Sequence, residues 1–113
     1  MRVTTQVWDV AHGQPASGVL VRLERVQGSG VWCVVGCERT DSAGRIESWG
    51  DERLGNGQYR LVVDASEFFA TLGLVSSQTE IVITFVARPQ SDGYHVPVFI
   101  TPFGFMTCTS EEV

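Results

Sequence analysis

The chain contains no lysine. All eight of its basic residues are arginines, against thirteen aspartates and glutamates, for a net charge of -5. Without lysine there is no amine for Schiff-base chemistry and no phosphate-loop lysine. Without a basic run nothing neutralises a phosphate backbone, which excludes nucleic acid as a partner. Histidine is scarce, at two residues, and no His-x-His, Cys-x-x-Cys or His-Glu-x-x-His pattern occurs, so no metal site is expected. No apolar run nears the ~20 residues that span a bilayer. The opening Met1 to Gln6 lacks the apolar stretch of a secretion signal. The expectation is a cytoplasmic protein with no membrane partner.

Other features narrow the class. A length of 113 residues supports one domain, 1–113. Apolar residues make up 43% and charged residues 19%, which argues against disorder. A mean hydropathy of +0.08 is high for a small lone domain and suggests that another copy of the chain covers part of its surface. Three cysteines cannot all pair within one chain. In a regular strand Cys33 and Cys37 share a face ~13 Å apart, beyond the ~7 Å a disulfide spans. Buried free thiols in a reducing compartment are expected.

Short β-rich runs alternate with turn residues. Strands are expected at Val3 to Val10, Val19 to Val26, Val31 to Arg39, Arg45 to Trp49, Gln58 to Asp64, Glu80 to Ala87, Tyr94 to Thr101 and Phe105 to Cys108. Turns fall at His12-Gly13-Gln14-Pro15, Gln27-Gly28-Ser29-Gly30, Asp41-Ser42-Ala43-Gly44 and Asn56-Gly57. Phe68, Phe69 and Leu72 stand at helical spacing between Asp64 or Ser66 as cap and Gly73 as stop. Seven or eight strands and one short helix predict an all-β antiparallel sandwich. Pro97 inside a strand implies an edge position or a bulge.

Few residues are equipped for catalysis. His12 reads as an exposed turn residue. His95 lies opposite the aliphatic face of Tyr94, Val96, Val98 and Ile100, on a half-apolar surface with Pro97 and Phe99 that suits a subunit contact or a ligand pocket. Cysteine–histidine catalysis would require Cys108 to meet a histidine in space, which no spacing demands. Asp51-Glu52 and Glu111-Glu112 read as solvated surface.

Five segments, in order, resemble the transthyretin and 5-hydroxyisourate hydrolase family along the whole chain. They are Thr4-Thr5-Gln6-Val7-Trp8-Asp9 with Gly13-Gln14-Pro15-Ala16; Thr40-Asp41-Ser42-Ala43-Gly44-Arg45; Gly57-Gln58-Tyr59-Arg60-Leu61; Phe68-Phe69; and Tyr94-His95-Val96-Pro97 with Thr101-Pro102-Phe103-Gly104-Phe105. The resemblance implies a transthyretin-like β-sandwich assembled as a homotetramer, a dimer of dimers with sites where dimers meet. It further implies hydrolytic opening of an oxidised purine ring without metal or organic cofactor. By the same resemblance Arg45 and His95 match the family's catalytic arginine and late histidine, and both are absent from the hormone carrier.

Departures from the family pattern cluster around the implied site. Gln6 stands where the hydrolases have their first histidine, and an amide orients water but cannot act as a base. Gly93 replaces another common histidine. Cys108-Thr109-Ser110-Glu111 replaces a C-terminal Tyr-Arg-Gly-Ser. The expectation is an enzyme with an altered small cyclic amide or ureide substrate. Arg45 and His95 are its catalytic pair, and Gln6, Thr107, Cys108, Thr109 and Ser110 bind substrate. The alternative is a non-catalytic binding protein whose channel is lined by Trp8, Phe99 and Met106.

Overall fold

The computed structural model describes residues 1–50 and 53–112; Asp51 and Glu52, read above as solvated surface, lie outside them. Among the described residues the strands are β1 (Arg2–Asp9), β2 (Gln14–Pro15), β3 (Leu20–Val26), β4 (Trp32–Arg39), β5 (Arg45–Ile46), β6 (Gly57–Val63), β7 (Ile81–Ala87), β8 (Gly93–Thr101), β9 (Gly104–Thr107) and β10 (Ser110–Glu112), with one helix, α1 (Ala65–Thr71), between β6 and β7. One sheet joins β10, β8, β1 and β2, with β5 also on β1 and β9 also on β8; the other runs β4-β3-β6-β7. The sandwich expected from the sequence is present. Its pairs are antiparallel except β1 and β8, which run parallel from Arg2 opposite Gly93 to Asp9 opposite Ile100. A parallel pair needs a long crossover, and here the intervening chain supplies the entire second sheet.

Period-two patterning builds the core. Val3 and Val7 of β1, with Val96, Val98 and Ile100 of β8, face Val21, Leu23, Tyr59, Leu61, Val63, Ile81, Ile83 and Phe85 of the other sheet, all buried. The alternate residues of β1 and β8 are left on the outer face, His95 and Gln6 among them. Tyr59 stacks against Phe85, which in turn meets Tyr94. Asp64, not Ser66, caps α1 by accepting the Glu67 N–H at 3.1 Å. Phe68 and Phe69 are buried, but α1 ends before Leu72 can reach the core, leaving Leu72 exposed ahead of Gly73 at φ +74°.

The three cysteines are free, as expected, but the expectation that they are buried, and that Cys33 and Cys37 share a face, is overturned. All three thiols are exposed. In β4 the register slips between Leu23 opposite Gly36 and Glu24 opposite Val34, so Val35 is an extra residue. That bulge reverses the alternation: Cys37 pairs with Arg22 on the outer face, whereas Cys33 pairs with Arg25 on the inner one. The bulge also seats Gly36 under Trp49, where a Cβ would lie 2.8 Å from Trp49 Cβ and from its carbonyl oxygen.

Pro97 sits in a strand paired on both sides, not at a sheet edge. Beside it Val98 opposes Thr107 and His95 opposes Ser110, so the same register sets Pro97 against Cys108, yet Cys108 and Thr109 belong to no strand. Pro97 lacks the N–H that the ladder needs there, and the ladder divides into β9 and β10. The Thr107 hydroxyl bridges the gap by donating to the Pro97 carbonyl at 2.7 Å.

Three acidic residues are tied down. Buried Asp9 accepts the His12 backbone N–H at 3.2 Å and meets His12 Nδ1 at 2.6 Å, closing the β1–β2 turn. Glu24, on the outer face of β3, is buried between Arg60 Nε (2.5 Å) and Arg22 Nε (3.1 Å), while Arg60 stacks over Trp32. Glu111, half of a pair assigned above to solvated surface, forms a two-pronged ion pair with Arg88 through Arg88 Nε (3.0 Å) and Nη2 (2.7 Å).

Candidate functional site

The outer face of the larger sheet holds a polar cleft of about 250 Å³ lined by Arg2, Thr4, Thr5, Gln6, Arg45, Glu47, His95 and Glu112. The two long strands place most of it. Parallel register sets Thr4 opposite His95 and Gln6 opposite Pro97, while β5 sets Arg45 opposite Gln6 on the other edge of β1. Successive strands lie ~4.8 Å apart, so Arg45, Gln6 and the residues of β8 form one row across the face.

The turn before β5 fixes Arg45. Thr40 Oγ1 donates to the Ala16 carbonyl at 2.6 Å and accepts the Val19 N–H at 2.9 Å. Asp41 Oδ1 accepts both the Ala43 and the Arg45 N–H at 2.9 Å, an Asx turn that folds the segment back on itself. Gly44 takes φ +78°, and a Cβ there would lie 2.4 Å from the Val7 carbonyl oxygen, so only glycine lets the turn press onto β1. The guanidinium that results is half-exposed, and Glu47 approaches it no closer than 3.9 Å. Its donors are available to a ligand.

Gln6 and His95 are each held at one end. The Gln6 side-chain amide donates to the Ala43 carbonyl at 2.9 Å. Because a carbonyl must meet the NH₂ end, Gln6 is left with its oxygen, an acceptor, as its free group. His95 Nδ1 meets Thr4 Oγ1 at 2.8 Å, which leaves Nε2 as the ring nitrogen open to the cleft. A cationic donor, an acceptor amide and an imidazole thus border one cavity. Such a set can bind a carbonyl-rich ring, hold a water and move a proton.

The structure therefore brings together Arg45, His95 and Gln6. Thr107, Cys108, Thr109 and Ser110 are not among the described residues that wall the cleft. Ser110 faces His95 across the β8–β10 ladder, and the Thr107 hydroxyl is committed to Pro97. Sequence reasoning missed Arg2, Thr4, Thr5, Glu47 and Glu112. Arg2 and Thr4 were legible in principle, since they share the face of Gln6 by simple alternation in β1. Glu112 reaches the cleft because β10 extends past Ser110, close to the space that a Gly93 side chain would fill; a Gly93 Cβ would lie 3.3 Å from Glu112 Oε2 and 2.7 Å from the Arg2 carbonyl oxygen. Among the described residues no three His, Cys, Asp or Glu side chains cluster to hold a metal, and no helix is long and apolar enough to cross a membrane.

Residues 3–109 match the HIUase/Transthyretin family. The chain belongs to that family. Within it, the 5-hydroxyisourate hydrolase of Caulobacter vibrioides is 34% identical over 109 residues, covering 93% of this chain and 94% of that protein. The structure of Klebsiella pneumoniae 5-hydroxyisourate hydrolase superposes with a TM-score of 0.85 at 31% identity, over 97% of this chain and 99% of that one. Transthyretin from Sparus aurata superposes with a TM-score of 0.92 over 98% and 97% of the two chains; at 21% identity it is alike in fold. The transthyretin-like sandwich is thus established, and relatives named as hydrolases are similar along nearly the whole chain.

Proposed function

We propose that this chain is a hydrolase of the 5-hydroxyisourate hydrolase type that opens a small cyclic amide or ureide ring. The observation that carries the reading is the convergence of Arg45, His95 and Gln6 on one cleft. In this mechanism the Arg45 guanidinium binds the ring carbonyl and stabilises the oxyanion that develops on it. The Gln6 oxygen accepts one hydrogen of the attacking water. His95 Nε2 takes the water's proton as the O–C bond forms and returns it to the ring nitrogen as the C–N bond breaks. The product is an open chain with one new carboxyl and one new N–H group, and no cofactor enters the balance. Ser110, Cys108 and the Thr107–Thr109 backbone border the same face and complete the substrate site when a second copy closes over it.

The assembly we infer is a homotetramer. Its support is the exposed apolar ground towards the far ends of the strands that bear the cleft, where Phe103 and Met106 are 76% and 66% exposed. Replacing Gln6's counterpart histidine and the C-terminal signature redirects the enzyme from 5-hydroxyisourate itself. Following the ultraviolet absorbance of freshly made 5-hydroxyisourate separates the two substrates: decay at the spontaneous rate fits redirection, and accelerated decay assigns the ordinary catabolic role. His95→Ala lowers turnover on the true substrate by ~10²–10⁴-fold; an unchanged rate removes His95 from the mechanism.

A second reading, a non-catalytic carrier of a small aromatic molecule, has one observation in its favour. Val10, Phe99, Thr101, Gly104, Phe105 and Met106 line an apolar hollow of about 270 Å³ on the same sheet. Tight calorimetric binding of an aromatic ligand, with no product by mass spectrometry, would favour the carrier.

A further inference from the structure

Gly93 leaves a gap at one end of the polar cleft, and a charged residue stands on each side of it. Arg2 lies opposite Gly93 on β1, and Glu112 lies opposite it on β10. A Cβ on Gly93 would lie 3.3 Å from Arg2 Cβ and 3.3 Å from Glu112 Oε2, so the carboxylate leans into the space that the glycine leaves open. The main chain holds both residues in place. The Asp92 N–H donates to the Glu112 carbonyl at 2.8 Å, and the Asp92 carbonyl accepts the Arg2 N–H at 3.0 Å. The buried Ser91 hydroxyl donates to the same Glu112 carbonyl at 3.0 Å, and the adjoining Glu111 is pinned by Arg88. The side chains themselves are uncommitted. Among the described residues neither the Arg2 guanidinium nor the Glu112 carboxylate has a hydrogen-bond or ion-pair partner, and both line the cleft.

Resting on the proposed ring-opening activity, we infer that Arg2 and Glu112 are specificity-determining residues that grip a second amide edge of the substrate ring. A cyclic amide presents its C=O and N–H side by side on one edge. The Glu112 carboxylate accepts that N–H, and the Arg2 guanidinium donates to that C=O. The placement suits one small ring. His95 is two residues from Gly93 along β8, ~6.6 Å, and Arg45 stands beyond it in the row of Gln6 and Pro97. A ring over His95 turns the carbonyl that is attacked towards Arg45 and its far edge towards the Gly93 gap. A ring with a single amide covers Arg2 and Glu112 without satisfying them, whereas water satisfies them in the open cleft.

Two five-membered rings test the assignment by isothermal titration with the full chain: hydantoin, which has two amide edges, and 2-pyrrolidinone, which has one. Hydrogen bonds to two charged groups predict at least tenfold tighter binding of hydantoin. Glu112→Ala and Arg2→Ala, both at exposed side chains, should each lower hydantoin affinity about fivefold or more and leave 2-pyrrolidinone within twofold. Arg45→Ala should weaken both rings, which locates them in this cleft. Equal affinity of the two rings for the native protein, or a preference that survives both the Glu112 and the Arg2 variants, overturns the second-edge grip while leaving the ring site standing. Failure of both rings to bind, or binding that Arg45→Ala leaves unchanged, overturns the ring site and the grip together. Hydantoin that binds where 2-pyrrolidinone does not, and is weakened by either variant, is support.

Discussion

His95 and Glu24 show how much a single side chain depends on what holds it. The His95 ring is oriented by Thr4, one strand away, and that contact decides which nitrogen is free. In the proposed mechanism Thr4 is thus a positioning residue. Thr4→Val should lower kcat by ~10-fold with little change in KM and displace the pH–rate profile, and Thr4→Ser should restore both; a profile identical to the native one would show that the ring needs no such partner. Glu24 serves the fold instead. Burial pushes its carboxyl upward, but the guanidiniums of Arg60 and Arg22 outweigh burial and hold it below the ordinary value for glutamate. Since the folded-state value lies below the unfolded one, the stabilisation is present above the unfolded pKa and is lost as pH falls through the folded one. Glu24→Gln should cost about 2 kcal/mol at pH 7 and flatten the fall in melting temperature on acidification. An acid branch as steep as the native one would place the effect elsewhere. Arg45 and His95 were legible as a pair only through resemblance, because no local spacing connects residues 39 and 89 positions removed from Gln6. Glu24 was not legible at all: its alternation with Val21 and Leu23 assigns it to the outer face, and what buries it there is the arginine pair.

Secondary structure was readable wherever a run was long enough to show its period. Strands β1, β3, β6, β7 and β8 carry seven or more residues each and fall close to where alternation puts them. The pieces that escaped, β2 and β10, have two and three residues, too few for a period, and exist because each borders a long strand already in place. The bulge at Val35 escaped for another reason: an inserted residue leaves composition untouched while reversing the faces of everything beyond it. Gly36 marks the spot, and Gly36→Ala should destabilise the protein markedly, since its Cβ meets Trp49 main-chain and Cβ atoms that cannot swing away. A melting temperature within a degree of native would refute the close contact. At the helix, Asp64→Ala removes the one side-chain cap and should cost about 1 kcal/mol, read as a lowered urea midpoint with an unchanged slope.

For the molecule as a whole, the arrangement of the sheets explains why a polar site and an apolar surface share a face. β1 and β8 lie side by side in one direction, so residues of like parity run together across both strands: Thr4 with His95, Gln6 with Pro97, Trp8 with Phe99. Polar residues thus gather near the start of the strands and apolar ones near their ends, and Met106 continues the apolar row opposite Phe99. On the proposed assembly and activity, Met106→Glu should shift the species seen by sedimentation from tetramer to smaller forms, with loss of activity in the same step; a native-like monomer of full activity would show that one chain suffices. The fold was open to sequence reasoning because five spaced motifs carry it, whereas the substrate was not, because Gln6 and the Cys108-Thr109-Ser110-Glu111 segment, to which we assign substrate choice, depart from the motifs. The most direct test of the central claim, that Arg45 and His95 act on one ring in one cleft, is a hydrolysis assay in ¹⁸O-labelled water against a panel of cyclic amides and ureides including 5-hydroxyisourate. The account predicts that at least one ring opens with a single labelled oxygen in the product, and that both Arg45→Ala and His95→Ala slow that opening by about 10²-fold or more. Ring opening no faster than in buffer across the panel, or a rate untouched by both substitutions, would contradict it.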